Sequence, residues 1–338
     1  MCLLAQERQG YIYGKGKNWY FWCWKHVGKI METMHRVENI EPVAIASRSM
    51  ERAREFAEKY KLPKAYGSYM DLLNDPGIDM VYIATPNSEH AAHMKMCLRM
   101  GKAVFCEKPF TMDLQEAEEV LGLAESKNLF AGEAIWTRYM PLYKEIQALK
   151  NQEMLGRITA VTANLAYPVW ERERIHSTEL GGGAHMDVGI YPLTFIDAVA
   201  GMDYSACHVT AHNVQGVDQT SSIVLYYKEK GIIATILNSV ASPSDRQGII
   251  YGTKGYAMVE NINNFESIRI YNKEHECIKE IMPPEQISGY EYELEAAARA
   301  VIAGKTECEE VPHKKIWEMM KVMEEIYSRL KNYMEGDM

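Results

Sequence analysis

Strand and helix patterns alternate through the first half of the chain at a spacing that leaves few folds open. The apolar run from Pro42 predicts a strand, Ser49 can cap a helix over residues 50–60, and residues 79–85 predict a second strand. The same alternation continues over residues 88–100, 102–106 and 114–127. This order is typical of right-handed βαβ crossovers, so the first half predicts an α/β fold with a Rossmann-like, doubly wound parallel sheet.

The second half has longer segments in which apolar and polar residues alternate. They predict an open, mostly antiparallel sheet with strands over residues 158–167, 221–227, 232–239, 247–251, 257–260 and 267–272. Helices are predicted over residues 191–199, 290–303 and 314–331. Helices on one face would leave the other free for a partner subunit or a substrate lid. We therefore predict two domains, a Rossmann-like domain over 1–136 and an α+β substrate and oligomerisation domain over 137–338, with assembly as a homodimer or homotetramer through the second sheet.

Composition narrows the class of partner. The 338 residues are 47% hydrophobic and 25% charged, which suits two cored domains. A net charge of -9 without a long basic block argues against nucleic acid or an anionic membrane, so we expect a small-molecule partner. Seven scattered cysteines without a Cys-x-x-Cys spacing favour reduced thiols in the cytoplasm over disulfides or a metal site. The sequence shows no apolar run of membrane-spanning length and no export signal, so we expect no membrane insertion.

Two short runs carry the chemistry. Residues 104–110 read Val-Phe-Cys-Glu-Lys-Pro-Phe, and residues 180–192 read Leu-Gly-Gly-Gly-Ala-His-Met-Asp-Val-Gly-Ile-Tyr-Pro. Together they resemble the signature pair of the Gfo/Idh/MocA oxidoreductases and, within that family, the dimeric dihydrodiol dehydrogenase and NADP-xylose dehydrogenase branch. The resemblance covers the chain from about Glu32 to its end. It implies an NAD(P)-dependent enzyme that transfers a hydride between the nicotinamide and a carbinol carbon of a sugar, polyol or dihydrodiol.

The resemblance also assigns three candidate catalytic residues. It places Lys108 beside the reactive carbon, where its charged N–H groups can polarise a carbonyl or lower the pKa of a hydroxyl. Many family members carry histidine at the position of Tyr191, whereas the dihydrodiol dehydrogenase branch carries tyrosine and pairs it with the lysine as an acid/base. Asp187 would orient the substrate, and a helical turn would put it on the same face as Tyr191. A tyrosine that only completes the core is the alternative.

The end of the second predicted strand bears on the choice of cofactor. It reads Ala-Ser-Arg, without the acidic residue that binds the ribose hydroxyls of NAD. Ser47 and Arg48 suit a 2′-phosphate, so NADP is predicted, with NAD as the second choice. Alternatively, Ser47 only turns the chain and Arg48 is solvated.

Further cofactor contacts are predicted at the carboxyl edge of the sheet, where open parallel sheets bind ligands. They are Thr85, Pro86, Asn87, His90, Glu107, Lys108, Trp136 and Arg138. The resemblance places His90 near the nicotinamide, and Trp136 and Arg138 close to the cofactor. Each has a structural alternative: Thr-Pro makes an ordinary turn, His90 can lie on a helix surface, and a tryptophan in a linker often packs between domains. Lys108 precedes a proline, which favours extended geometry and, by the resemblance, a cis peptide bond.

A Rossmann domain should open with a strand followed by G-x-G-x-x-G, and this chain lacks that loop. Gly14 and Gly16 fit superficially, but the third position is Trp19. The aromatic run from Trp19 to Trp24 suggests a second explanation, because a one-base shift of the reading frame turns Trp-Tyr-Phe-Trp-Cys-Trp-Lys into Gly-(Ile or Thr)-(Phe or Ser)-Gly-(Ala or Val)-Gly-(Asn or Ser). We hypothesise that residues 1–30 are translated out of frame. An uninterrupted frame on resequencing would exclude this.

Two other classes of function remain open from the sequence. The same superfamily supports glycoside hydrolysis with a permanently held NAD, which oxidises the sugar only transiently. A non-catalytic protein that senses a nucleotide or a sugar is the second alternative, and the missing glycine loop favours it.

Overall fold

The first sheet has the strand order of a Rossmann domain. The computed structural model describes residues 18–23, 28–151 and 153–336. Within these, six parallel strands are ordered β3-β2-β1-β4-β5-β6. They are β1 Asn18–Cys23, β2 Glu41–Ala46, β3 Lys64–Tyr66, β4 Met80–Ala84, β5 Ala103–Glu107 and β6 Ala131–Ala134. The predicted doubly wound sheet is confirmed. The short strands β3 and β6 were not predicted, because three or four residues give no alternation to detect.

Strand β1 lies at the centre of this sheet. Its backbone pairs with β2 on one side and with β4 on the other, with Phe21 opposite Ile45 and Tyr82. Trp19 is part of the strand, so the match of Gly14 and Gly16 to a phosphate loop is wrong: that loop must follow the strand, not precede it. The two glycines lie outside the described residues, as do residues 24–27, which link β1 to the first helix.

Helices cover both faces of the first sheet. They are α1 Gly28–Met34, α2 Met50–Lys59, α3 Tyr69–Leu73, α4 His90–Arg99 and α5 Leu114–Lys127. The Ser49 hydroxyl accepts a hydrogen bond from Arg52 N, as predicted for a cap, and Asp113 caps α5 in the same way. The helix predicted over residues 88–100 instead starts with a 3-10 turn at Asn87–Glu89.

The second sheet has eight strands in the order β14-β13-β12-β11-β7-β10-β9-β8. They are β7 Ile158–Ala166, β8 Ala206–Val214, β9 Val217–Tyr227, β10 Ile232–Ser239, β11 Gly248–Gly252, β12 Gly255–Glu260, β13 Ser267–Asn272 and β14 Cys277–Ile281. Every neighbouring pair is antiparallel except β7 and β10, so the prediction of an open, mostly antiparallel sheet is confirmed. The unpredicted strands β8 and β14 form its two edges, where exposed polar side chains obscure the alternation.

The helices of the second half are α6 Pro141–Leu149, α7 Ala184–Val188, α8 Ile190–Ala200, α9 Glu291–Ile302 and α10 His313–Gly336. Helices α6, α7, α8 and α10 pack on one face of this sheet, whereas α9 contacts α1 and the 3-10 turn over residues 136–139. All residues of α8 are buried, and the helix contacts β7, β10 and β11. Helix α10 also contacts α5, and the indole of Trp317 donates to Glu118 Oε1 at 2.8 Å. The opposite face of the sheet carries partly exposed side chains. Among the described residues, no helix is long and apolar enough to cross a membrane.

A 3-10 turn, Trp136–Tyr139, joins the two domains and is held by a buried ion network. Arg138 Nη1 lies 2.9 Å from Asp197 Oδ2 on α8 and donates to the Tyr143 hydroxyl at 3.0 Å. Lys315 on α10 binds the other oxygen of Asp197 at 3.0 Å. The network ties the crossover, α8 and α10 together, so the second domain is fixed relative to the end of the first sheet.

Candidate active site

Most of the predicted site residues lie at the carboxyl edge of the first sheet, and those after β4 and β5 contact the glycine-rich segment of the second domain. Asn87, at the end of β4, is buried and donates through Nδ2 to the main-chain oxygen of Gly181 at 3.1 Å. Gly181 has φ +73, and a Cβ there would lie 2.5 Å from the Met112 sulfur. A glycine is therefore required at this contact between the two domains.

Lys108, Asp187 and Tyr191 converge at this edge. The peptide bond between Lys108 and Pro109 is cis, as the resemblance implied. The Lys108 ammonium donates to the main-chain oxygen of Asp187 at 2.6 Å and lies 4.0 Å from its Oδ1. The same nitrogen is 5.0 Å from the centre of the Tyr191 ring. Three residues predicted as catalytic from two distant runs therefore lie within one cluster.

The backbone of the glycine-rich segment explains why Asp187 and Tyr191 share a face. Gly183, before α7, has φ +104, and a Cβ there would lie 2.4 Å from Asp218 Oδ1. Asp218 accepts hydrogen bonds from main-chain N–H groups at the start of α7 and so caps it. Gly189 has helical φ and ψ of -64 and -25, so α7 runs into α8 with little interruption. Asp187 and Tyr191 are consequently one helical turn apart on the same side, as predicted.

Arg174 is a second cation beside Asp187, and it was not predicted from the sequence. Its Nη1 lies 2.7 Å from Asp187 Oδ1. Burial raises the pKa of Asp187, but Lys108 and Arg174 outweigh burial and hold that pKa below its usual value. Burial lowers the pKa of Lys108, while Asp187 and Glu107 act in the opposite direction. Asp187 is therefore an anion between two cations. Arg174 lies in the loop after β7, which periodicity cannot position.

Tyr191 is buried, and burial raises its pKa well above the usual value, with further increases from Tyr290, Glu107 and Asp187. The Lys108 ammonium lies over the Tyr191 ring and donates to the Asp187 carbonyl. The phenol is a protonated hydrogen-bond donor.

The turn that carries Lys108 is anchored by His90 and Glu107. His90 is fully buried, with Nδ1 2.9 Å from the Pro109 oxygen and Nε2 3.0 Å from the Thr85 oxygen. Burial lowers its pKa, although both carbonyls favour the charged ring. The Tyr82 hydroxyl donates to Glu107 Oε1 at 2.6 Å. Both ring nitrogens of His90 therefore face backbone carbonyls, which gives His90 the geometry of a support for the lysine turn.

The other predicted cofactor residues form two groups, one at the carboxyl edge of the first sheet and one in the interdomain crossover. Ser47 and Arg48 follow β2 at the carboxyl edge, where Ser47 Oγ accepts from Ser49 N at 3.3 Å and Arg48 is exposed. Thr85 and Pro86 follow β4 at the same edge, with the Thr85 hydroxyl 3.1 Å from His93 Nδ1.

Trp136 and Arg138 lie in the interdomain crossover. The Trp136 indole stacks on Tyr290, with ring centres 4.3 Å apart, and donates to Asn263 Oδ1 at 3.0 Å. Arg138 binds Asp197 and Tyr143 in the buried network. Their roles toward a cofactor stay predictions.

The residues at the carboxyl edge of the first sheet fit the adenosine end and the nicotinamide end of a nicotinamide dinucleotide. A cation and a hydroxyl follow β2, where the adenosine ribose lies in a Rossmann domain, and no acidic residue occupies residues 47–49. Lys108 and Asn87 offer donors at the other end. The pyrophosphate segment would fall on residues 24–27, outside the described residues. In the part of the chain that the structure describes, no group of three or more His, Cys, Asp or Glu side chains forms a metal site.

Two family profiles match most of the chain. The profile for the oxidoreductase family with an NAD-binding Rossmann fold matches residues 24–134, and that for the Gfo/Idh/MocA C-terminal domain matches residues 143–258. The first match covers β2 to β6, and the second covers β7 to β11 and most of β12. The second ends before β13, so β13, β14, α9 and α10 lie beyond it.

Named relatives and solved structures agree with these profiles. A trans-1,2-dihydrobenzene-1,2-diol dehydrogenase of Xenopus tropicalis is 33% identical over 82% of this chain and 86% of its own length. That of Sus scrofa is 37% identical over 68% and 69%. The fold is similar to KijD10, a 3-ketoreductase of Actinomadura kijaniata solved with NADP, at a TM-score of 0.79, 20% identity and coverage of 94% and 96%. An aldose-aldose oxidoreductase of Caulobacter crescentus gives 0.83, with 20% identity and coverage of 95% and 98%.

His185 lies behind the site and predicts a pH dependence of stability. It is fully buried, Nε2 lies 3.0 Å from the Met323 oxygen, and burial lowers its pKa from 6.5 to about 4. The unfolded chain therefore takes up this proton at higher pH than the folded chain. The stability due to neutral His185 is fully present above about pH 6.5 and is lost as the pH falls toward about 4.

We expect the thermal midpoint of the wild type, relative to His185→Gln, to fall steadily from about pH 7 to about pH 4. The difference between variants is the useful quantity, because burial raises the pKa of Asp218 and so stabilises the fold at acid pH. His208→Gln, on an exposed position of β8, is the control and should follow the wild type. Parallel curves for the wild type and His185→Gln would contradict the prediction.

Proposed function

Because the chain belongs to the Gfo/Idh/MocA oxidoreductase family, we propose that it transfers a hydride between NADP and a carbinol carbon of a sugar, polyol or dihydrodiol. The convergence of Lys108, Asp187 and Tyr191 at the carboxyl edge of the sheet carries this proposal. The dihydrodiol dehydrogenases among the relatives support a vicinal diol or sugar as substrate.

Residues of the first domain and of the interdomain crossover would hold NADP. Ser47 and Arg48 would bind the 2′-phosphate, and NAD is the second choice. Thr85, Pro86, Asn87, Glu107 and Trp136 would line the path toward the nicotinamide, while His90 fixes the turn that carries Lys108. When bound, the nicotinamide supplies or accepts the hydride. Arg138 would act through the crossover that carries Trp136.

Three side chains would handle the proton and the substrate. The protonated phenol of Tyr191 donates its proton to the carbonyl oxygen during reduction. During oxidation the same oxygen takes up the hydroxyl proton once it has released its own. Lys108 has N–H groups beyond the one bound to the Asp187 carbonyl, so it can polarise the same substrate oxygen. The Asp187 carboxylate, kept ionised by Lys108 and Arg174, can accept a hydrogen bond from a neighbouring substrate hydroxyl.

Lys108→Met and Tyr191→Phe should each lower kcat by about 10²–10⁴-fold with little change in folding, because each removes a proton-handling group. NADP reduction screened across pentoses, hexoses and cyclic diols identifies the substrate and measures the loss. Lys95→Met, on α4, and Tyr226→Phe, on the exposed sheet face, are the matched controls. Retained turnover in Lys108→Met would refute the role given to the lysine.

Selection of NADP over NAD is tested separately. Removing a charged hydrogen bond to the 2′-phosphate should raise KM for NADP in Arg48→Ala by about 10–100-fold, with little effect on NAD. Arg52→Ala, one turn along the exposed side of α2, is the control. An equal change in KM for both dinucleotides would argue against a contact between Arg48 and the 2′-phosphate.

The open face of the second sheet supports assembly as a homodimer or homotetramer. Tyr226 and Ile233 are register partners on β9 and β10 and are 41% and 49% exposed. Leu237, on the same face, is 41% exposed. Large apolar side chains grouped on a flat surface are typical of subunit interfaces, whereas scattered ones are ordinary.

Ile233→Lys combined with Leu237→Lys should turn the oligomer into a monomer, because two buried charges oppose association. Light scattering coupled to size-exclusion chromatography gives the mass. Ile302→Lys, at the exposed end of α9, should leave the mass unchanged. A wild type that is already monomeric would exclude this interface.

We place the protein in the cytoplasm. Cys97, Cys106, Cys207, Cys277 and Cys308 are free thiols among the described residues. Burial raises the pKa of Cys97 and Cys106, which keeps them unreactive. Free thiols of this kind are usual in a reducing compartment.

A further inference from the structure

Arg174 lies on a loop of the second domain that packs against the glycine-rich segment. The 3-10 turn of this loop ends at Ile175, which is fully buried. Three main-chain hydrogen bonds join the loop to the three consecutive glycines. They run from Gly181 N to the Thr178 oxygen at 3.2 Å, from Gly182 N to the Ser177 oxygen at 2.9 Å and from Gly183 N to the Ile175 oxygen at 2.8 Å. The loop is therefore a fixed part of the site, and it holds Arg174 close to Asp187.

Arg174 binds one of the two oxygens of the Asp187 carboxylate. Its Nη1 lies 2.7 Å from Oδ1, and the Lys108 ammonium lies 4.0 Å from the same oxygen. Among the residues that the structure describes, Oδ2 accepts no hydrogen bond, and the Arg174 side chain donates only the one to Oδ1. The Arg174 side chain is 33% exposed, whereas that of Asp187 is 10% exposed. One carboxylate oxygen and several guanidinium N–H groups are thus left for a ligand.

The remaining carboxylate oxygen and the guanidinium together match a hydroxyl group. A hydroxyl both donates and accepts hydrogen bonds, so it can bind Asp187 Oδ2 and an Arg174 N–H at the same time. A carboxylate or phosphate would meet the negative charge of Asp187, which Lys108 and Arg174 keep ionised. A methylene group would leave both polar groups without a partner. The group expected beside Asp187 is therefore a neutral hydroxyl.

Lys108 and Arg174 lie beside the same oxygen of Asp187, so their donors can bind oxygens on adjacent carbon atoms. We propose that Arg174 is a specificity-determining residue: with Asp187 it recognises the hydroxyl next to the reacting carbinol and so selects vicinal diols and sugars over simple alcohols. This inference rests on the proposed function, in which Lys108 and Tyr191 serve the reacting oxygen. It adds the reason why the substrate needs a second hydroxyl.

Two substrates that differ in one hydroxyl test this role. Cyclohexane-1,2-diol and cyclohexanol are the pair for a cyclic diol, and a sugar from the screen is paired with its deoxy analogue at the neighbouring carbon. The wild type should have a far higher kcat/KM for the diol, because the alcohol leaves Asp187 and Arg174 unpaired. Arg174→Met should lower kcat/KM for the diol by about 10–100-fold, the usual loss for one charged hydrogen bond, with little change for the alcohol.

A conservative variant and a remote one control this experiment. Arg174→Lys keeps the charge but not the planar set of N–H groups, so it should keep only part of the preference for the diol. Arg157→Met, at an exposed residue just before β7, should match the wild type with both substrates. Quenching of tryptophan fluorescence by NADPH checks that each variant is folded, and it should be unchanged in Arg174→Met because this residue lies in the second domain.

An equal fall in kcat/KM for the diol and the alcohol in Arg174→Met would show a structural role and overturn the proposal. A wild type that turns over both substrates equally well would overturn it too. A folded wild type without turnover on any carbinol contradicts the proposed function itself.

Discussion

The bond between the Lys108 ammonium and Asp187 is the interaction on which the rest of the site depends. It joins the end of β5 in the first domain to the glycine-rich segment of the second, across 2.6 Å to the Asp187 carbonyl. Without the ammonium the Asp187 carbonyl would lose this donor, while Arg174 would still pair with the Asp187 carboxylate. The same contact sets the distance between the ammonium and the Tyr191 ring. One contact therefore sets both the relative position of the two domains and the geometry of the site.

The titratable groups around this pair differ in protonation state because their surroundings differ. Two cations keep Asp187 ionised, whereas burial keeps Tyr191 protonated. Neighbouring acids therefore hold different charges at one pH, which is the arrangement that proton transfer requires. The supports are equally specific, since His90 holds the lysine turn and Asp218 caps α7.

Much of the fold could be predicted from local patterns. The helix over residues 114–127 and the strands over 232–239 and 267–272 have the predicted bounds, because capping and alternation are encoded within each segment. The edge strands β8 and β14 and the short strand β6 were missed, since pairing with a neighbour decides them. Arg174 was missed for a related reason: nothing around this residue in the sequence says what it will face.

The sequence by itself determined the two domain types, the family and the residues Lys108, Asp187 and Tyr191, because these follow from periodicity and from two local motifs. It also placed glycine at 181 and 183, where positive φ values and close contacts admit no side chain. Only the tertiary structure decided the protonation of these groups and the support given by His90. Those properties depend on burial and on charges brought together from distant segments, and the free energy of a charge is set by its surroundings in space rather than by its neighbours along the chain.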